Sequence, residues 1–386
     1  MTDIAHIRTV KARSKYLFDM LSEADGLKRN EFLQVDGPAA SIGSDNNYVA
    51  GTGNDDWLFA DAGNDVIAQN HYDEIYFYWS SQGAVIIDGK EGYDTLRAEI
   101  NTYPGPERVT LNGIRSAPYY RDFTLAIDDG SGGSPVESLV SNIEKVELFL
   151  NYTSELVLKG DFTSMDIHAI FSSNRSNVVD LTGLYTDVLS PVRITLSLGD
   201  DLVRLGGNHS MVWLEGGEGV DMLDYSAVAA SVLVDLAAGT VHCGDEPPNT
   251  DPPFETPRTI YDFENINGSS YSDFLFGDAG ANVIDGWEGA DELDGRGGDD
   301  LLIGGGSDDI FVFRAGFGHD RIRGFELSGT SEAIKFESAL FADFDAVLAA
   351  SQQVGEDVVI TYDGANTLIL EKVLLSNLSS DDFRFA

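Results

Sequence analysis

The sequence predicts an all-β chain wound as a solenoid: a parallel β-roll or β-helix with an N-terminal capping helix and a C-terminal β cap. Three observations carry that prediction. A nine-residue period runs without insertion from Gly268 to Val312, as GSSYSDFLF, GDAGANVID, GWEGADELD, GRGGDDLLI and GGGSDDIFV. Within each unit the sixth position is Asp273, Asn282, Asp291, Asp300 or Asp309, and the eighth is Leu275, Ile284, Leu293, Leu302 or Phe311. Glycines cluster in the first half of each unit, where a tight turn needs backbone angles that a Cβ disfavours. A turn followed by a short strand with one inward apolar residue is half a coil, so units two apart stack.

The elements follow in chain order. In residues 1–42, Ile4, Ile7, Val10, Leu17, Phe18 and Leu21 fall at helical spacing, so a short amphipathic helix and a lead-in are expected. Residues 43–97 hold a first block of repeats: GTGNDDWLF from Gly51, ADAGNDVIA from Ala60, a unit from Gln69 with Glu74 at position six, and GKEGYDTLR from Gly89. Their candidate ligands are Asp56, Asp65, Glu74 and Asp94. The run Ile75, Tyr76, Phe77, Tyr78 and Trp79 reads as a strand turned to the core, not as a sugar-stacking platform.

Residues 98–215 alternate apolar and polar residues, as at Val146, Leu148 and Leu150, and read as strands. Asn177 with Val179, and Asp201 with Val203, echo positions six and eight. Either the solenoid continues there with its ligands thinned out, or an all-β insert interrupts it. Residues 216–312 form the second block, opened by GGEGVDMLD with Asp221 at position six and interrupted by the proline-rich 245–257, a loop because proline cannot donate to a sheet ladder. In 313–386, FRAGFGHDRIRGFE reads as a closing segment, Phe341 to Ser351 as a short helix, and DVVITYD with NTLILEK as a hairpin about Gly364.

Charge then dictates chemistry. Asp and Glu number 65 against 24 Lys and Arg, a net charge of −41, which excludes nucleic acid as a partner. Hydrophobic residues at 42% exclude a disordered acidic tail. Cys243 is the only cysteine, so no intrachain disulfide can staple the fold. Stacking places Asp273, Asp291 and Asp309 in one column and Asn282 with Asp300 in another. Two carboxylates ~5 Å apart at an effective dielectric of ~20 repel by roughly 3 kcal/mol, so the columns call for cations. Calcium suits them: it takes oxygen ligands, and the turns offer carboxylates together with carbonyls at Gly277, Gly280, Gly286, Gly289, Gly295, Gly297, Gly298 and Gly304.

The nonapeptide resembles the G-G-x-G-x-D-x-U-x unit of the repeats-in-toxin (RTX, hemolysin-type) family, most fully in GGEGVDMLD. The resemblance implies a calcium-loaded β-roll that stays unfolded where calcium is scarce and folds outside the cell. IYDFENINGS, from Ile260, is similar to the lead-in that precedes such blocks, and LVSNIEKVEL, from Leu139, to a degenerate copy of it. Residues 1–30 hold no apolar core long enough for a secretory signal, and LLSNLSSDDFRFA resembles the uncleaved C-terminal signal of type I exported RTX proteins of proteobacteria. Secretion through that machinery is therefore expected, with a surface, matrix or adhesive role and a glycan or cell-surface partner.

Catalytic motifs are missing. There is no H-E-x-x-H, no G-x-S-x-G, and the six histidines do not fall at ligand spacing. No segment has the length and apolarity for membrane insertion. The alternative is a polysaccharide lyase or epimerase-like enzyme whose site would draw on Tyr103, Arg108, Tyr119, Tyr120, Arg121, His168, Arg175, Asp180, Tyr185 and Arg193.

Overall fold

A computed structural model describes the strands of residues 32–134 and most of 135–386; residues 1–31, the turns between the first strands, and 187–190, 208–211, 245–257 and 327–331 are among those outside the described residues. The expected N-terminal helix and the proline-rich loop therefore lie outside them. The chain divides into two compact units, residues 1–173 and 174–386.

In the first unit, Leu58–Ala60, Glu74–Trp79, Thr95–Asn101, Lys145–Asn151 and Asp166–Phe171 stack in parallel. Tyr48–Ala50, Asp65–Ala68, Val85–Asp88 and Val136–Ser141 do the same in a second sheet. Alternation drives the packing, because every second side chain faces the same way. Leu96, Val146 and Ile167 share one register line, and Ile100, Leu150 and Phe171 another; all six are buried. The alternating apolar residues of Thr95–Asn101, Lys145–Asn151 and Asp166–Phe171 are thus the inner rows of stacked parallel coils.

The second unit repeats the design. Val179, Val203, Leu223, Ile266, Ile284, Leu302 and Ile322 form one fully buried ladder. Val234, Leu275, Leu293, Phe311 and Ile334 form the facing one. Each such side chain contributes about 1.5–3 kcal/mol of transfer free energy, which makes position eight the main source of cohesion. The coils run past Val312: His319–Arg323 pairs with Leu301–Ile303, so the expected closing segment is a further coil.

Each unit also contains an antiparallel insertion of the same topology. In the second unit it comprises Val232–Asp235, Thr240–Cys243 and Arg258–Tyr261. The first inserted strand pairs with the later coil strand Phe274–Phe276, and the last pairs with the earlier Val212–Glu215. In the first unit, Arg108–Ile114 pairs with the later Glu155–Asp161, and Val136–Ser141 with the earlier Val85–Asp88. Asp122–Asp128 lies between them. LVSNIEKVEL and IYDFENINGS occupy equivalent places: each leaves its insertion and re-enters the coil.

The end of the chain is a β cap. Thr367–Leu370 pairs with His319–Arg323, and Asp357–Thr361 with Ser351–Val354 extends that sheet antiparallel. The helix Phe344–Ala349 is capped by Asp343, whose carboxylate accepts from the Ala346 N–H at 2.9 Å. Phe313, Phe317, Phe336, Phe341 and Phe383 close the core end with ring centroids 4.9–6.2 Å apart. Terminal coils of a solenoid need such a cover.

Candidate metal centre

The turns place their acidic side chains in two columns along the second unit. In one, the Asp273 N–H donates to Asp291 Oδ1 (2.7 Å), and the Asp291 N–H donates to Asp309 Oδ1 (2.9 Å). In the other, Asn177 N–H donates to Asp201 Oδ1 (2.6 Å), Asp201 N–H to Asp221 Oδ1 (2.7 Å), and Asp221 N–H to Glu264 Oε2 (2.7 Å). That column resumes with Asn282 N–H to Asp300 Oδ1 (2.8 Å) and Asp300 N–H to Asp320 Oδ1 (2.9 Å). Every step holds one carboxylate oxygen and leaves the other to be accounted for.

The second oxygens of Asp201, Asp221, Asp291 and Asp300 are buried with no hydrogen-bond partner. A buried ionised oxygen without a partner is costly, so these four call for a cation or a proton. Glycine makes room around them. A Cβ on Gly286 would collide with Asp291 Oδ2 and stand 2.6 Å from the Gly304 carbonyl oxygen, so the two oxygens share one small space. Gly295 and Gly304 are bare in the same way against Oδ2 of Asp300 and Asp309. Gly289 and Gly298, with φ of 128° and 122°, take the left-handed conformation that turns the loop.

Burial pushes the Asp291 and Asp320 carboxyls up to about 8, those of Asp300 and Asp201 to about 7, and those of Asp221 and Asp309 to about 6. The backbone donors oppose the rise, and neighbouring carboxylates add to it. No three His, Cys, Asp or Glu side chains converge on one point among the described residues. That agrees with oxygen sites made of one or two carboxylates and backbone carbonyls, which suit a hard cation and not zinc.

Asp309 has no buried partnerless oxygen, and two further predicted ligands are satisfied by the protein itself. Asp273 is satisfied by the protein: Oδ2 accepts from Ser269 N–H (2.6 Å), and Oδ1 from Ser269 Oγ–H (2.9 Å) and Val232 N–H (2.7 Å). Asn282 likewise accepts from Asp278 N–H (2.9 Å) and donates through Nδ2 to the Glu264 carbonyl (2.9 Å). Of the glycines, Gly277 O accepts from Arg296 Nη1 (3.1 Å) and Gly298 O from His319 N–H (3.3 Å). Gly297 and Gly280 line the same turn stack, where a Cβ on Gly297 would lie 3.1 Å from Gly316 O. Asp56 and Asp94 lie outside the described residues, and Asp65 and Glu74 open strands whose side chains are not described.

Sequence reasoning missed Asp320 and Glu264. Asp320 and Ile322 keep the six-and-eight spacing, but a two-residue insertion breaks the stride of nine, giving a separation of 20 from Asp300 in place of 18. Glu264 and Ile266 also keep it, with Glu for Asp, behind a 43-residue separation from Asp221. Of the side chains proposed for a carbohydrate enzyme, Arg108 pairs with Glu155 at 2.6 Å, Arg193 stacks 4.2 Å from the Trp213 ring, and Tyr185 is 50% exposed.

The fold and these turns define a calcium-binding β solenoid. The family model of the RTX calcium-binding nonapeptide repeat matches residues 41–68, 262–293 and 288–322, so the chain carries RTX repeats, and these repeats bind calcium. Among solved structures, the extracellular lipase LipA from Serratia marcescens is similar at 17% identity, over 61% of this chain, with a TM-score of 0.23. The match spans 45% of the lipase, less than half its length. No curated protein matches the chain.

Proposed function

We propose that the chain is a secreted calcium-binding protein that folds when it meets calcium outside the cell and serves there as a surface, matrix or adhesive component. The observation that carries this reading is the set of buried, partnerless carboxylate oxygens at Asp201, Asp221, Asp291 and Asp300, each in a turn column. Modules of this kind bind calcium with Kd on the order of 10⁻⁴–10⁻³ M, far above cytosolic levels, so folding would wait for export. An unfolded chain also suits passage through a type I secretion channel. Among the described residues no helix is long and apolar enough to cross a membrane.

The test is expression of the intact chain beside a type I secretion apparatus, with protease challenge of the product in chelator and in ~1 mM calcium. The reading expects the chain in the medium, cut to small fragments in chelator and resistant in calcium. Retention in the cell, or resistance that ignores calcium, would count against it.

A further inference from the structure

The acidic column does not stop where the matched repeats do. Asp201 and Asp221 lie upstream of residues 262–322, yet they are 2% and 0% exposed, and each keeps an Oδ2 without a partner. The inserted strands then intervene, and the chain returns to the column at Asp262–Glu264. Asp262 takes a left-handed φ of 55°, which brings its carbonyl over Gly216, where a Cβ would clash with it. Asp221 Oδ2 stands 2.6 Å from that same Cβ position, and Glu264 Oε2 accepts from the Asp221 N–H. A carboxylate and a carbonyl from the two ends of the insertion thus face one small space, with a second carboxylate beside it.

Above this level the column is neutral. Asn282 satisfies the Glu264 carbonyl with its own Nδ2 and keeps Oδ1 on the Asp278 N–H. The protein supplies donors at that rung and none at Asp221 Oδ2. We propose that Asp221, Glu264 and the Asp262 carbonyl hold a calcium ion that clamps the two ends of the 225–261 insertion, and that the Asn282 rung separates it from the ions of the repeats. The clamp rests on the reading that the columns hold calcium. It adds that one ion closes a long loop, so its loss should loosen that loop and spare the repeats.

The test counts bound calcium on the full chain by native mass spectrometry and follows amide exchange at Gly216 and Asp221, which donate to Tyr261 O (2.9 Å) and Glu264 Oε2 (2.7 Å). Asp221→Asn and Glu264→Gln should each bind one ion fewer and exchange about tenfold faster at Gly216, while strand Leu301–Ile303 keeps its protection. Asp291→Asn should lose an ion and leave Gly216 protected. If a single variant fails to fold, the double variant Asp221→Asn/Glu264→Gln makes a neutral rung like Asn282 and should fold with one ion fewer. An unchanged count and unchanged Gly216 protection in these variants would overturn the clamp. A wild-type chain that binds no calcium would instead overturn the reading beneath it.

Discussion

Asp291 shows what a single residue does in this fold. Its side chain is 1% exposed, one oxygen is tied to Asp273, and the other faces the Gly304 carbonyl. Asp291→Asn keeps the tied oxygen and removes the charge. In chelator it should stabilise the metal-free chain by about 1–3 kcal/mol, and in calcium it should weaken binding, both read from calcium-dependent melting curves. Gly286→Ala should abolish ordering of that turn for a steric reason, since its Cβ has no space. Trp287 sits in the next position at φ 75°, steadied by the Asp285 carboxylate on its N–H at 3.0 Å. Trp287→Gly should relieve this strain and raise the melting temperature, by about 0.5–1 kcal/mol of stability.

The Asp291 and Asp320 carboxyls sit near 8 in the metal-free fold, and those of Asp300 and Asp201 near 7, against about 3.9 in an unfolded chain. A raised folded value means the folded state binds more protons between those limits. Stability of the metal-free fold is therefore greatest below pH ~4 and is lost as pH rises through ~7–8. In calcium the trend reverses, because protons compete with the ion for the same oxygens. In chelator the β fold should therefore form at pH 5 and be lost at pH 8, and in calcium it should be held better at pH 8 than at pH 5, both read by circular dichroism.

At the scale of elements, the inner ladders bear the load. Leu302 is fully buried between Ile284 and Ile322, whereas Leu301 faces outward and is half-buried. Leu302→Ala should cost about 2–5 kcal/mol by cavity formation, and Leu301→Ala clearly less, measured as unfolding free energies in saturating calcium. Equal costs would contradict the assignment of position eight to the core. The insertion is bound to the repeats as well as to its neighbours: Asp235 takes both Nη groups of Arg296, at 2.8 and 2.6 Å.

What the sequence made legible follows from how local each signal is. Five in-register units made the strands Phe274–Phe276 to Ile310–Phe313 readable, because nine residues contain both the turn and the inward side chain. Alternation at Val146, Leu148 and Leu150 likewise announced a strand. The topology of the insertions was not legible, since it depends on the first inserted strand joining a later coil, a pairing that no local pattern encodes. Glu264 was hidden for the same reason. Asp320 was hidden only by a shift of two residues, and searching for the six-and-eight spacing without a fixed stride would have found it.

For the whole molecule, a net charge of −41 and a core built from coils that each bury a few side chains make folding conditional. Hydrophobic ladders supply cohesion along the axis, and the acidic columns oppose it until cations arrive. Calcium is then part of the folding free energy. The most direct measurement is far-ultraviolet circular dichroism of the full chain titrated with calcium, reversed with chelator, with magnesium as control. A coil-to-β transition is expected near ~1 mM calcium, reversed by chelator and not produced by magnesium. A β spectrum that forms without calcium at neutral pH and survives chelator would contradict it.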